Sequence, residues 1–181
     1  EPGTKPLHSI VKLTVEQKGF VHGSLILDNA GYESTGKYQG TMYVSFSQLA
    51  GLNDTLSASI TKDIGHHGDG HGSKQYAVNY AVPDGNRTYR LSTYQYSYHQ
   101  LVFMPEAFRS SGNTRGIEFS VEQVLNRTSR SKTAAVAKVI HKTRHSYIDD
   151  IEIGVQEQHT TALELGLSHR QYSGNTMSDI Y

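Results

Sequence analysis

Apolar and polar residues alternate along this chain with a period of two, in segment after segment. From Tyr38 to Ser47, Tyr38, Met42, Val44 and Phe46 share one parity, and Gln39, Thr41, Ser45 and Ser47 the other. Leu56, Ala58 and Ile60 oppose Thr55, Ser57, Ser59 and Thr61; Tyr76, Val78, Tyr80 and Val82 oppose Gln75, Ala77, Asn79 and Ala81. Successive strand side chains point to opposite faces, so each segment has one apolar and one polar face. The segments are about ten residues long, each closes on turn residues, and nothing between them has helical periodicity. This pattern predicts an all-β chain, an antiparallel up-and-down meander, with strands long enough for a transmembrane barrel wall.

Eight strands are expected: Gly19–Asn29, Tyr38–Leu49, Thr55–Asp63, Lys74–Val82, Arg87–Gln100, Thr114–Leu125, Lys132–Arg144 and Ile151–Ser168. The chain is then expected to stop at NTMSDIY. The connectors alternate in length. GLND, PDGN and NRTSR are short, whereas AGYESTGK, IGHHGDGHGS and LVFMPEAFRSSGN are longer. Outer-membrane barrels carry short turns on one rim and longer loops on the other. The first fifteen residues read as a linker, because Pro2, Gly3 and Pro6 oppose a helix. Residues 16–181 are expected to form one domain. Glu at position 1 is read as the mark of a processed or excised piece.

Composition narrows the function classes. Lys plus Arg and Asp plus Glu both total 17, so no net field for nucleic acid is implied. Only 36% of residues are hydrophobic, lean for a packed core but natural for a wall with one wet face. No apolar run reaches the roughly 18 residues of a membrane helix, which leaves strand crossing open. The absence of cysteine removes disulfides, thiolate metal sites and a cysteine nucleophile. Twelve tyrosines suit strands and an interfacial girdle.

Charge falls on the polar parity. Glu118 and Glu122 oppose Ile117, Phe119 and Val121; Lys132, Lys138 and Lys142 oppose Thr133, Ala135, Ala137 and Val139; Glu164 opposes Leu163, Leu165 and Leu167. A lysine facing lipid at the midplane costs about 2–4 kcal/mol. In a barrel, Glu118, Glu122, Lys132, Lys138, Lys142 and Glu164 therefore line the lumen; on a half-buried sheet they would face bulk water. The fifth strand breaks parity, with Tyr89 and Leu91 odd and Tyr94, Tyr96 and Tyr98 even. Either a bulge near Ser92 or Thr93 shifts the face, or tyrosines line the lumen.

Other candidates reduce to local chemistry. His66, His67, Asp69 and His71 carry metal-ligand groups, but a glycine-rich loop collects such residues without a second shell. No nucleophile elbow is present. Glu118 and Glu122 stand about 13 Å apart along a strand, too far for a glycosidase pair. The triplets at Asn53, Asn86 and Asn126 read as turn chemistry, as do Asp28 and Asn29 before Gly31 and Gly36. Neither an enzyme nor a cofactor is expected.

Longer stretches then become recognisable. LDNAGYESTGKYQG (residues 27–40), GLNDTLSASITKD and NYAVPDGNRTYRLSTYQYSYHQ resemble the barrel of haemolysin secretion/activation proteins. The stretch VLNRTSRSKTAAVAKVIHKTRHSYIDDIEIGVQEQHTTALELGLSHRQYSG is the more specific match, with RSKT, SYIDD and LELGLSHRQY in the family's order. The likeness runs from about Gly19 to the end and takes in Asp28, Asn29, Gly31 and Gly36. It implies the amino-terminal half of a sixteen-stranded barrel behind periplasmic POTRA modules, in the bacterial outer membrane. The implied partners are lipid and an unfolded exoprotein client with a β-rich amino-terminal domain, a haemolysin, adhesin or contact-dependent toxin. Thr114-Arg115-Gly116-Ile117 lacks the aromatic of the family's inward-folded loop. Half a wall is expected to secrete nothing alone. A separate expectation is that the piece curls into a small closed eight-stranded barrel, which pairing of the first strand with the eighth would support and an open sheet would overturn. A soluble β-sandwich that binds a ligand is the competing expectation. The placement of Leu163, Leu165, Leu167, Phe119 and Val121 separates the two.

Overall fold

The computed structural model describes residues 19–65, 70–104, 106–173 and 176–180. The expected linker over the first fifteen residues, and His66, His67 and Asp69, lie outside them. The strands are β1 (Val21–Asp28), β2 (Gln39–Ser47), β3 (Thr55–Asp63), β4 (His71–Asp84), β5 (Arg87–Met104), β6 (Glu106–Arg127), β7 (Ser131–Ile148), β8 (Ile151–Glu152), β9 (Gln158–Ser173) and β10 (Thr176–Ile180). A single turn of 3-10 helix, Gly154–Gln156, separates β8 from β9.

All ten strands belong to one antiparallel sheet. Its order follows the chain from β1 to β7, then β9 and β10, with β8 pairing β7 off the main path. The meander was expected; several boundaries were not. LVFMPEAFRSSGN is not a loop, because Leu101 pairs Arg109, Val102 pairs Phe108 and Met104 pairs Glu106. The expected eighth strand is cut by the 3-10 turn, so its long part begins only at Gln158. NTMSDIY does not end the sheet, since Thr176–Ile180 pairs β9. His71, expected in a loop, opens β4.

One layer of sheet has no opposing layer, and Ala134 is the one apolar side chain buried among the described residues. Cross-strand backbone bonds therefore hold the fold together more than any core does. The register sorts the side chains cleanly. Val21, Phe46, Leu56, Tyr80, Leu91, Phe119, Val139 and Leu163 stand opposite one another in turn, forming an unbroken apolar row from β1 to β9. Leu163, Leu165 and Leu167 are 67%, 76% and 66% exposed, and Phe119 is 48% exposed. A sandwich would bury them between layers. The β-sandwich expectation is thereby overturned.

The apolar band runs obliquely across the register. On β1–β4 it extends toward the long connectors, to Leu25, Met42, Ile60 and Tyr76; their partners further along are Gln95, Arg115, Thr143 and His159. On β6–β9 it extends the other way, to Val121, Ala137 and Leu165. Strands tilted against a level slab produce such a drift. Among the described residues β1 and β10 each have one partner, so the described sheet is open. The small closed barrel is not seen: among the described residues β1 does not pair with β9 or β10.

Candidate functional site

The polar face gathers every charged residue singled out from the alternation. Ser47, Thr55, Ala81, Arg90, Ser120, Lys138 and Glu164 form one cross-strand row. Glu118 lies in the row above, opposite Ser92 and Ile140; Glu122 lies in the row below, opposite Thr88 and Val136. Lys142 lies opposite Gly116, and Lys132 opposite Arg170. The register slips once, between Val124 and Asn126. Two ion pairs cross the strands: Lys132 Nζ donates to Glu122 Oε1 at 2.6 Å, and Lys138 Nζ lies 3.1 Å from Glu164 Oε2. A further pair joins Arg170 and Asp179 through Nε–Oδ1 at 2.6 Å and Nη2–Oδ2 at 3.0 Å. Both signs thus meet across this face, in ion pairs that link neighbouring strands.

Strand β5 resolves the tyrosine question left open by parity. Its pairing with β6 is unbroken from Arg87 to Met104, so no bulge shifts the face. Tyr94, Tyr96 and Tyr98 therefore share the polar face with Glu118. Two glycines make room for them. Tyr98 lies over Gly112 and Tyr94 over Gly116, where an added Cβ would strike the rings. Tyr96 and Tyr98 stack with centroids 6.0 Å apart. Glycine adds no side chain to a strand, and here each gap seats an aromatic from the next strand.

The two rims differ. The β2–β3 turn is organised by Asp54, a carboxylate wholly removed from the surface. It accepts Ala50 N–H at 3.1 and 3.2 Å, Leu52 N–H at 3.3 Å and the Tyr80 hydroxyl at 3.1 Å. Burial pushes its pKa up, but the Ala50 amide, the Tyr80 hydroxyl and the Leu52 amide outweigh that and hold the carboxyl below its usual value. Gln48, Gly51 and Asn53 take positive φ in the same turn. Only Asn53 of these had been singled out from the sequence. Asp54 gave no local signal, because its hydroxyl donor lies 26 residues away on β4.

On the opposite rim the β1–β2 loop closes on itself. Asp28 Oδ1 accepts Ala30 N–H at 2.9 Å, Gly31 N–H donates to the Lys37 carbonyl at 3.0 Å, and the Gln39 amide donates to the Gly36 carbonyl at 2.6 Å. Gly36 has φ +110°, and an added Cβ there would strike Asp63. Asp28, Gly31 and Gly36 shape this loop, whose chemistry is that of a turn. No cluster of metal-ligating side chains is present among the described residues.

Residues 8–181 match the model of the haemolysin secretion/activation protein family ShlB/FhaC/HecB. The chain belongs to this family. Outer membrane transporter CdiB-2 of Burkholderia pseudomallei is 31% identical over 179 residues, covering 98% of this chain and 31% of that protein. Hemolysin transporter protein HpmB of Proteus mirabilis is 25% identical over 178 residues, covering 96% of this chain and 31% of that protein. The chain thus spans about a third of the curated relatives it matches. Among solved structures, CdiB from Acinetobacter baumannii superposes with a TM-score of 0.78 at 30% identity, over 90% of this chain and 31% of that one. CdiB from Escherichia coli superposes with a TM-score of 0.86 at 24% identity, over 92% and 31%, a likeness of fold. This family member therefore has the meander of those transporters.

Proposed function

We propose that this chain is part of the barrel wall of an outer-membrane transporter that exports a partner exoprotein by two-partner secretion. The observation that carries the proposal is the single-layered sheet, with an unpartnered apolar band on one face and charged, hydrogen-bonded side chains on the other. Lipid solvates the first face and pore water the second. Glu118, Glu122, Lys132, Lys138, Lys142 and Glu164 then line the lumen, with Tyr94, Tyr96 and Tyr98. A mixed-sign, tyrosine-bearing wall gives an unfolded polypeptide weak contacts of every kind and no deep pocket to stop in. The remaining strands of the sixteen, and the periplasmic modules that capture the client, belong to the longer protein. The client is an unfolded exoprotein with a β-rich amino-terminal domain. Nothing in this reading calls for catalysis.

Membrane strands need about 9–11 residues. With 18 and 22 residues, β5 and β6 run well past the bilayer on the long-connector rim. That rim faces the outside and the Asp54 rim the periplasm. Single cysteines at Glu118, Lys138 and Leu165 of the full-length transporter test the reading. A water-soluble maleimide is expected to modify the first two, and client arrested in transit to block them. Leu165→Cys is expected to react only with a membrane-soluble reagent. Equal labelling of all three by the water-soluble reagent would refute a pore wall.

A further inference from the structure

Just beyond the apolar band, on the rim of the long connectors, the outward face changes chemistry abruptly. Ile60 on β3 is followed on that face by Lys62, Tyr76 on β4 by Lys74, and Ile117 on β6 by Arg115. Lys62 and Lys74 stand directly opposite each other across the β3–β4 pair. Like charges in that position are destabilising. All three side chains are exposed, and none has an ion-pair partner among the described residues. No carboxylate occupies the outward face of β1–β7 on this rim. Glu152 and Glu157 lie further round, beyond β7, against His145 and His159.

The opposite border differs. There the first outward residues past the band are Asp84, Arg87, Gln123 and His169, a mixed set in which Arg87 Nε donates to the Gln123 side chain at 2.6 Å. A cation at mid-bilayer is costly, whereas near the interface the cost falls almost to nothing, so position alone permits charge at both borders. Position does not explain why, over β3 to β6, every charged residue at this border is a cation, among neutral Ser97 and Asn113. Between β4 and β6 the surface also sinks into a groove of about 240 Å³, lined by Tyr76, Val78, Thr93, Gln95 and Arg115. Apolar Ile60, Met42 and Leu25 continue the row of Tyr76 sideways across β3, β2 and β1, and Val78 lies one same-face step nearer the middle of the band.

We propose that Lys62, Lys74 and Arg115 form a docking site for the phosphorylated headgroup of an outer-leaflet lipid, whose acyl chains lie along Ile60, Met42 and Val78. The two lysines bracket one phosphate and relieve their mutual repulsion through it. Arg115, across the groove, takes a second phosphate by its planar fork, and Tyr76 sits at headgroup depth between them. The inference rests on the barrel reading and on the long-connector rim facing outward.

The test titrates the detergent-solubilised full-length transporter with bis-phosphorylated lipid A, with its phosphate-free form and with inorganic phosphate. Tight binding is expected for the first alone. The Lys62→Gln/Lys74→Gln/Arg115→Gln variant is expected to bind on the order of a hundredfold more weakly. Lys62→Arg/Lys74→Arg is expected to keep the affinity. Unchanged binding by the glutamine variant would overturn the site, and so would equal binding of the phosphate-free lipid, which the apolar band alone could produce. Full competition by inorganic phosphate at equal concentration would replace the lipid with a small anion and also overturn it. Retained heat-modifiable migration of the glutamine variant excludes misfolding. Two further readouts separate this inference from the reading beneath it. Pore conductance of the glutamine variant is expected to be unchanged. Lys62→Cys is expected to react with an impermeant maleimide on intact cells; labelling only after outer-membrane permeabilisation would overturn the orientation and the site with it.

Discussion

At the scale of single residues, the structure is held by small fits that alternation does not reveal. Gly116 shows this best, because the Tyr94 ring occupies the space where a side chain would begin. Gly116→Ala is expected to cost about 1–3 kcal/mol, the usual penalty for overpacking. It is measured as the denaturation midpoint of the folded full-length transporter. Gly166→Ala is the control, since nothing lies within 4 Å of the added carbon. Pairing Gly116→Ala with Tyr94→Ala should recover part of the loss, whereas simple additivity would show that the ring and the glycine do not interact. Asp54 gives a prediction with a definite sign. Its folded pKa lies below the unfolded value of about 3.9, so its stabilisation is fully present above that value. It is lost as pH falls through the folded value. Asp54→Asn is expected to lower stability at neutral pH and to flatten the acid limb below about pH 4. Parallel wild-type and variant profiles across that window would show that the carboxylate does not organise the turn.

At the scale of strands, one substitution distinguishes the two faces. Leu165→Lys places a cation on the apolar band and is expected to destabilise the inserted protein by about 2–4 kcal/mol. Glu164→Lys, one residue away on the polar face, leaves Lys138 without its carboxylate partner but stays in water, where such a pair is worth at most ~1 kcal/mol. Folding equilibria in lipid vesicles compare the two; equal costs would mean that both faces meet the same solvent. Strand identity was legible because alternation needs only one medium on each face. Tyr38–Ser47, Thr55–Thr61 and Gln75–Val82 carry it plainly, and the strands they predict pair in chain order. The β5–β6 hairpin was not legible, since Pro105 and the Ser110-Ser111-Gly112-Asn113 run look like a loop. There the side chains lose their alternation, and backbone pairing to the neighbouring strand decides. The parity switch in β5 failed to mark a bulge for a related reason. Tyrosine is amphipathic and suits either face, so its position says little about which solvent it meets. Gly154, inside the expected last strand, was the available signal for the 3-10 interruption. The candidate charges were legible as a face, but their pairing Glu122–Lys132 and Lys138–Glu164 was not, because it depends on register between strands.

For the whole molecule, the two free edges decide where the sheet can be stable. Among the described residues β1 has eight residues, all exposed, and pairs β2 alone, and β10 has five and pairs β9 alone. In water those backbone groups are solvated. In hydrocarbon each unsatisfied group costs several kcal/mol, more than the outward side chains of so short a strand return. The central strands face no such conflict, since β5, β6 and β7 are paired on both sides over most of their length. Insertion is thus favourable at the centre of this sheet and unfavourable at its margins, and only further strands joining β1 and β10 to a closed ring remove the conflict. Residues 1–181 produced alone are therefore expected neither to migrate as a compact heat-modifiable species after mixing with lipid nor to conduct ions across a planar bilayer. The full-length transporter is expected to do both. Steady single-channel conductance from the isolated segment would mean that β1 and β10 find each other, and that the open arrangement of the sheet does not persist in lipid.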